Sequence, residues 1–320
     1  MALKDAKSEV DRAFTSRSNT GLAFENVFAG APSFLRRRYT KDLTGIDLAV
    51  FGVPFDQAVT NRPGTRLGPR AIREASLLQP CDPPFGWAYD ALSTLAIADT
   101  GDLAFDYARV ADFPAALRSH VATMLDAGVG TIALGGDHSI TYPILQAYAA
   151  RHGPLPLVQF DAHSDTWPDD DPARIDHGTM FYKAVKTGVV DPAKSVQIGI
   201  RTTNEDPLGI EQIDAPSVHQ LSPEAVADRI RARVGDTPCY VTFDIDALDP
   251  AFAPGTGTPV WGGLASWQAA AILRALKGLP MLGGDVVEVS PPFDPTGATA
   301  IAGAHVASEL ISLWGWTRRG

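Results

Sequence analysis

From residue 46 onward the chain alternates between two kinds of stretch. Short apolar runs rich in β-branched residues span 46–53, 131–134, 156–160, 195–200, 239–243 and 281–289. Between them lie Ala- and Leu-rich stretches with helical periodicity at 69–76, 113–127, 141–152, 178–187, 223–234 and 266–279. Repeated strand–helix units of this kind predict an α/β fold on a mainly parallel sheet. The strand runs are continuously apolar rather than alternating, as in a sheet covered by helices on both faces. Gly and Pro gather in 61–69 and 250–263, and no internal repeat or low-complexity linker appears. A length of 320 residues would suggest two domains at roughly 150 residues each. The alternation never pauses to mark a boundary, so the expected organisation is an N-terminal arm over 1–40 and a single domain over 41–320.

The polar residues become informative where the apolar runs stop. Ile132-Ala133-Leu134 runs into Gly135-Gly136-Asp137-His138, and Leu157-Val158-Gln159-Phe160 into Asp161-Ala162-His163-Ser164-Asp165. Tyr240-Val241-Thr242-Phe243 runs into Asp244-Ile245-Asp246, and Val286-Val287 into Glu288. In a parallel sheet the carboxyl ends of the strands share one edge, where ligands bind. Asp161, His163 and Asp165 are spaced by two, as are Asp244 and Asp246, so an extended backbone aims each set one way. Asp137 and Asp249, the latter before Pro250, read as supporting or turn-forming acids.

Four carboxylates on one rim need a counter-charge. Two of them about 4 Å apart repel by about 4 kcal/mol at an effective dielectric near 20. Two divalent cations would neutralise Asp161, Asp165, Asp244 and Asp246. Oxygen-rich ligands with some imidazole suit Mn²⁺ best, while Fe²⁺, Co²⁺, Ni²⁺ and Zn²⁺ also fit.

Composition fits a soluble globular protein. Apolar residues make up 45% and charged residues 20%, which excludes intrinsic disorder. The net charge of −10 argues against nucleic acid and against an anionic membrane surface, and suits a cationic substrate or a metal. Cys81 and Cys239 form no CxxC pair, the first residues lack a signal-peptide core, and no apolar run spans a membrane. A reduced, cytoplasmic protein is expected. The Arg36-Arg37-Arg38 run reads as a solvated or interface face.

These motifs resemble those of the ureohydrolases, the arginase and agmatinase family. The matching stretches are GGDHS at 135–139, DAHSD at 161–165, HGTMF at 177–181, DIDALDP at 244–250 and DVVEVSPP at 285–292. GVPFD at 52–56, RLGPRAIR at 66–73, SVQIGIR at 195–201 and PAFAPGTGTP at 250–259 extend the likeness over about residues 30 to 312. The resemblance implies a three-layer α/β sandwich on an eight-stranded sheet, an arginase/deacetylase-like fold, and a homotrimer or homohexamer. It also implies two Mn²⁺ per subunit. His138 and Asp165 would serve one metal, His163 and Asp246 the other, and Asp161 and Asp244 would bridge, with water between the metals as nucleophile. Glu288 would hold the guanidinium bidentately. His177 would pass a proton to the departing amine. A deacetylase-like enzyme shares the general fold but keeps one metal, and the second DxD together with Glu288 points away from it.

The implied reaction is hydrolysis of a guanidinium C–N bond, releasing urea and an amine. The elements by which arginases hold the α-amino acid end are absent. Trp167 and Pro168 follow Asp165, and Arg174-Ile175-Asp176 precede His177. The stretch 175–182, with 195–201 and Pro83-Pro84-Phe85-Gly86-Trp87, is most similar to bacterial agmatinases, which implies agmatine as substrate. Asp176 and Trp167 are the candidate tail contacts, and the acids at 169–171 add to the field. 4-Guanidinobutanoate is the alternative substrate, with Arg174 or Arg62 as partner for its carboxylate.

Overall fold

The computed structural model describes residues 28–79 and 85–318. Residues 1–27 of the expected arm, Cys81 and the Pro83-Pro84 pair lie outside the described residues.

Among the described residues, nine parallel strands form one sheet. In chain order they are β1 (Arg38–Tyr39), β2 (Leu48–Val53), β3 (Ile97–Asp102), β4 (Gly130–Gly135), β5 (Leu157–Phe160), β6 (Val196–Ile198), β7 (Glu211–Ile213), β8 (Cys239–Asp244) and β9 (Met281–Val287). Their spatial order is β1-β3-β2-β4-β9-β8-β5-β6-β7, and every pairing is parallel. The count exceeds the expected eight, and the two-residue β1 caps one edge.

Nine α-helices accompany the strands among the described residues: α1 (Gly68–Ser76), α2 (Ala91–Thr94), α3 (Phe113–Asp126), α4 (Thr141–His152), α5 (Met180–Lys186), α6 (Ala215–Gln220), α7 (Pro223–Val234), α8 (Ser266–Ala275) and α9 (Ala298–Trp316). They make two outer layers. Ile72 of α1, Val226 of α7, Leu273 of α8 and Leu310 of α9 pack in one buried cluster. Leu117 of α3, Ile144 of α4 and Phe181 of α5 pack in the other. β2, β4, β5, β8 and β9 are buried almost throughout, which is why they read as unbroken apolar runs.

Several elements lack a sequence signal. β3 reads IADTGD, and its acids are tolerated because Arg73 pairs with Asp99 at 2.7 Å and with Asp102 at 2.6 Å. α9 buries most of its circumference, so it shows no amphipathic stripe. The run at 281–289 stops as a strand at Val287, because Glu288 takes a positive φ of 64°. The Arg36-Arg37-Arg38 expectation is corrected at its first two positions. The chain turns through positive φ at Leu35 and Arg36, and Arg36 and Arg37 are 5% and 2% exposed. Their guanidinium groups donate to the carbonyls of Ala29 and Leu92.

Candidate active site

The four central strands β4, β9, β8 and β5 are neighbours, and their carboxyl ends carry His138, Glu288, Asp244 and Asp161. The rim is tied together by its own backbone, because the Glu288 amide donates to the Gly136 carbonyl at 2.9 Å. Asp165 and Glu288 both lie at positive φ, 52° and 64°, without being glycine. Such backbone costs on the order of 1–3 kcal/mol and tends to mark functional positions.

Two groups of side chains converge there. His138, Asp161 and Asp244 form one, and Asp161, His163 and Asp246 the other, with ligand atoms in each within 4.8 Å of one another. Asp161 belongs to both. Asp244 falls in the first group only, and Asp165 adds a carboxylate oxygen 2.9 Å from His138 Nδ1. Oxygens of Asp161 and Asp244 lie 3.1 and 3.2 Å from the same nitrogen. His163 Nδ1 sits 3.1 Å from Asp246 and 3.5 Å from Asp161. Asp249 accepts from the amides of Ala251, Gly262 and Gly263 and shapes a turn. Asp137 accepts from Ser139 and from the Ala58 amide.

The electrostatics are those of a crowded anion cluster. Burial, then the charges of Asp246 and Asp161, holds the Asp244 carboxyl well above its ordinary value. Burial and Asp161 push Asp165 up to about 6. Burial alone would raise Asp161, but the His138 and His163 rings beside it drive it far down. Burial would lower His163, yet Asp246 and Asp161 push it up to about 12. The cluster draws positive charge from whatever source is present.

The atoms that would face a metal can be assigned from the polar groups behind them. Thr242 Oγ1 donates its single proton to Asp285 at 2.5 Å, so toward His138 Nε2, 2.8 Å away, it acts as acceptor. Asp285 also receives hydroxyls from Thr141 and Tyr240, at 2.9 and 3.0 Å. The neutral ring of His138 therefore keeps its proton on Nε2, while, against burial, the three carboxylates raise the group well above its ordinary value and favour a second positive partner at Nδ1. Its Nδ1 is buried without a hydrogen-bond partner among the described residues, against three carboxylate oxygens. A bare lone pair in that place is repulsive unless a cation lies between, and the donor set fits a divalent ion.

Glu288 and His177 stand beside the cluster. Glu288 Oε1 accepts from the His138 amide and from His177 Nδ1, each at 2.9 Å. Its Oε2 is buried without a partner among the described residues. That oxygen lies 3.5 Å from where a side chain on Gly257 would begin, so glycine keeps the approach open. The Thr60 amide donates to His177 Nε2 at 3.1 Å, which places the proton of the neutral ring on Nδ1, toward Glu288. Burial works against a proton on His177, but Glu288 outweighs it and pushes the ring up to about 9. Taking that second proton requires Nε2 to leave Thr60.

A cleft of about 290 Å³ opens beside His177 and the acid cluster, with Glu288 buried outside its lining. Its lining includes Thr60, His163, Asp165, Trp167, Arg174 and Asp176, with His177 and Thr258. Trp167 is half exposed at this opening. Asp176 accepts from the Gly178 amide at 2.8 Å and pairs with Arg174 at 2.6 Å. Asp169 turns away from the cleft toward Lys183 at 2.8 Å, while Arg62 stacks over Phe293, 5.0 Å from its ring centre. Sequence reasoning passed over Thr242, Asp285, Gln159 and Gln197. Each is a polar residue inside an otherwise apolar strand, and that interruption was the available signal.

The comparisons with known proteins bear on the whole of this architecture. The family model described as "Arginase family" matches residues 46–312. An agmatinase of Chromobacterium violaceum is 49% identical over 304 residues, covering 95% of this chain and 94% of its own. An agmatinase of Neisseria meningitidis is 47% identical over 270 residues, 84% of this chain and 87% of its own. Among solved structures, a hypothetical agmatinase from Burkholderia thailandensis superposes with a TM-score of 0.93 at 51% identity, covering 97% of this chain and 99% of that one. Proclavaminate amidino hydrolase from Streptomyces clavuligerus superposes at 0.84 with 38% identity, covering 92% and 100%. The strand-end acids, the open carboxylate of Glu288 and this likeness along nearly the full chain are one pattern: the protein belongs to the arginase family.

Proposed function

We propose that this chain hydrolyses agmatine to putrescine and urea, a step of polyamine biosynthesis, as a Mn²⁺-dependent enzyme. The observation that supports this most directly is Glu288 Oε2, a buried carboxylate oxygen with no partner among the described residues, beside two His/Asp groups. His138, Asp161, Asp165 and Asp244 would hold one cation, and Asp161, His163, Asp244 and Asp246 the other. When bound, two divalent cations supply the charge that makes water nucleophilic near neutral pH.

The remaining work falls to the chain's own residues. Glu288 offers Oε2 to an N–H of the guanidinium, and a bidentate hold on two parallel N–H groups needs Oε1 to be shared with or released by His177. His177 holds a proton on Nδ1 against Glu288 and can deliver one to the departing amine once Nε2 is released from Thr60. Asp176 offers a negative charge to the far ammonium, and Trp167 covers its methylene chain. A homotrimer or homohexamer and a cytoplasmic location complete the reading. No helix among the described residues is long and apolar enough to cross a membrane.

A urea-release panel over agmatine, 4-guanidinobutanoate, 3-guanidinopropanoate, L-arginine and guanidine tests the substrate. Agmatine is expected to show the highest kcat/KM, and equal values for agmatine and 4-guanidinobutanoate would defeat the ranking. Dialysis against EDTA should abolish urea release, and added Mn²⁺ should restore it. Full activity in metal-free protein would remove the two-cation reading.

4-Guanidinobutanoate remains the second reading because Arg174 lines the same cleft. Asp176 neutralises Arg174 now, so Asp176→Asn frees a cation where agmatine needs an anion. Loss of one charged hydrogen bond should lower kcat/KM for agmatine by about tenfold. The value for 4-guanidinobutanoate should rise or hold. A ratio of the two that does not move would show that Asp176 takes no part in reading the tail.

A further inference from the structure

The register of the sheet sets five polar side chains in a single row. Gln212 is opposite Gln197, Gln197 opposite Gln159, Gln159 opposite Thr242, and Thr242 opposite Asp285. Residues paired in parallel strands point to the same face. The row therefore crosses β7, β6, β5, β8 and β9 in the order in which those strands lie. Gln197, Gln159, Thr242 and Asp285 are fully buried, where an apolar residue would avoid the cost of desolvating a polar group.

Each amide in the row has its direction forced by a neighbour that cannot donate. One end of Gln159 faces Asp161 Oδ2 at 2.8 Å and the His163 carbonyl at 3.1 Å, so it must present its NH₂ there. Its oxygen then faces Gln197, whose NH₂ also meets the Ser164 carbonyl at 2.7 Å. The oxygen of Gln197 in turn accepts from Gln212 at 2.8 Å. All three donations run inward from the sheet edge and end on Asp161. From the other side of the row, Asp285 takes the Thr242 proton, and Thr242 accepts from His138 Nε2. Aligned hydrogen bonds of this kind polarise one another in a low-dielectric interior.

We propose that this row is a positioning device for the candidate metal ligands. The glutamine ladder holds Asp161, the carboxylate common to both groups, with its remaining lone pairs toward the cations. The Thr242–Asp285 pair keeps the His138 proton on Nε2 and its Nδ1 bare. The proposal rests on the reading of Asp161 and His138 as ligands. None of the five residues lines the substrate cleft.

The test uses the full chain, stripped of metal and titrated with Mn²⁺. It reads dissociation constants, the electron paramagnetic resonance signature of a coupled Mn²⁺ pair, and the melting temperature. Thr242→Val should weaken Mn²⁺ binding by on the order of 10–100-fold and lose the coupled signature, while Thr242→Ser should restore both. Gln197→Met keeps the volume, removes the donors, and touches no ligand. It should weaken binding by on the order of tenfold, with Gln212→Met, at the half-buried end, producing less. Variants that melt lower yet bind Mn²⁺ as tightly as wild type, with the coupled signature intact, would overturn the proposal and leave the row a packing feature. If Gln197→Met does not fold, the Thr242→Val and Thr242→Ser pair decides it. Wild-type protein that binds no Mn²⁺ pair would overturn the metal reading and this proposal with it. A wild-type pair with unmoved variants overturns this proposal alone.

Discussion

Asp161→Asn is expected to lose both bound cations and at least about a thousandfold of urea release. Asp161 is the residue common to the two His/Asp groups, and every direction around it is already committed. Oδ1 accepts from the His163 amide at 2.7 Å, and Oδ2 from Gln159 at 2.8 Å. An asparagine must turn its NH₂ toward one of these donors, which places hydrogen against hydrogen in a site with no exposure. It also removes one of the negative charges that both cations would share. Asp165 offers the contrast. It approaches only His138 among the candidate imidazoles, so Asp165→Asn should keep about one cation per chain. Metal analysis after gel filtration, with circular dichroism to verify the fold, separates the two outcomes. Two cations and full turnover in Asp161→Asn would end its assignment as a shared ligand.

How much of this was legible in the sequence depends on which force placed each residue. The central strands were readable because burial on both faces leaves an unbroken apolar run, and the acids at their ends were readable because they break it. Asp161 and His163, and Asp244 and Asp246, do share one rim, but not through the extended backbone that spacing by two suggested: Ile245–Ala247 forms a 3₁₀ turn and Asp165 takes a φ of 52°. β3 stayed hidden because its acids are balanced by Arg73, a residue some 26 positions earlier in the chain. α9 stayed hidden because it is apolar on nearly every side, and periodicity needs a polar face to register against. The inward turn of Arg36 and Arg37 depends on two positive φ angles that no residue type there announces. The same holds for Asp165 and Glu288, whose backbone is held by tertiary contacts such as the Glu288 amide on Gly136. The polar row beneath the site was visible as isolated polar letters in apolar runs. Its meaning lies in strand order, which sequence does not display: Gln159 and Gln197 are neighbours only because β5 and β6 are.

Glu288→Gln should leave both cations in place and lower turnover steeply. Glu288 is not a member of either His/Asp group, and its Oε1 already serves the His138 amide and His177. A glutamine can keep its carbonyl oxygen at those two donors. Its NH₂ then occupies the place of Oε2, the buried oxygen with no partner among the described residues, 3.5 Å from where a side chain on Gly257 would begin. A guanidinium has only donors to offer, so the variant sets donor against donor where the wild type sets a carboxylate. Removing one partner of a buried, hydrogen-bonded charge pair costs roughly 2–5 kcal/mol. At 1.4 kcal/mol per factor of ten, kcat/KM should fall between about thirtyfold and a few thousandfold. The loss should reach kcat as well as KM, because a guanidinium tilted out of plane presents its carbon badly to water. A positive φ of 64° at a position where glycine would be less strained fits a carboxylate held there for its chemistry. Metal content and urea release measured on one preparation decide the matter. If Glu288→Gln loses its cations along with activity, Glu288 supports the metal site rather than the substrate. If it keeps both cations and full kcat/KM, the guanidinium is held elsewhere.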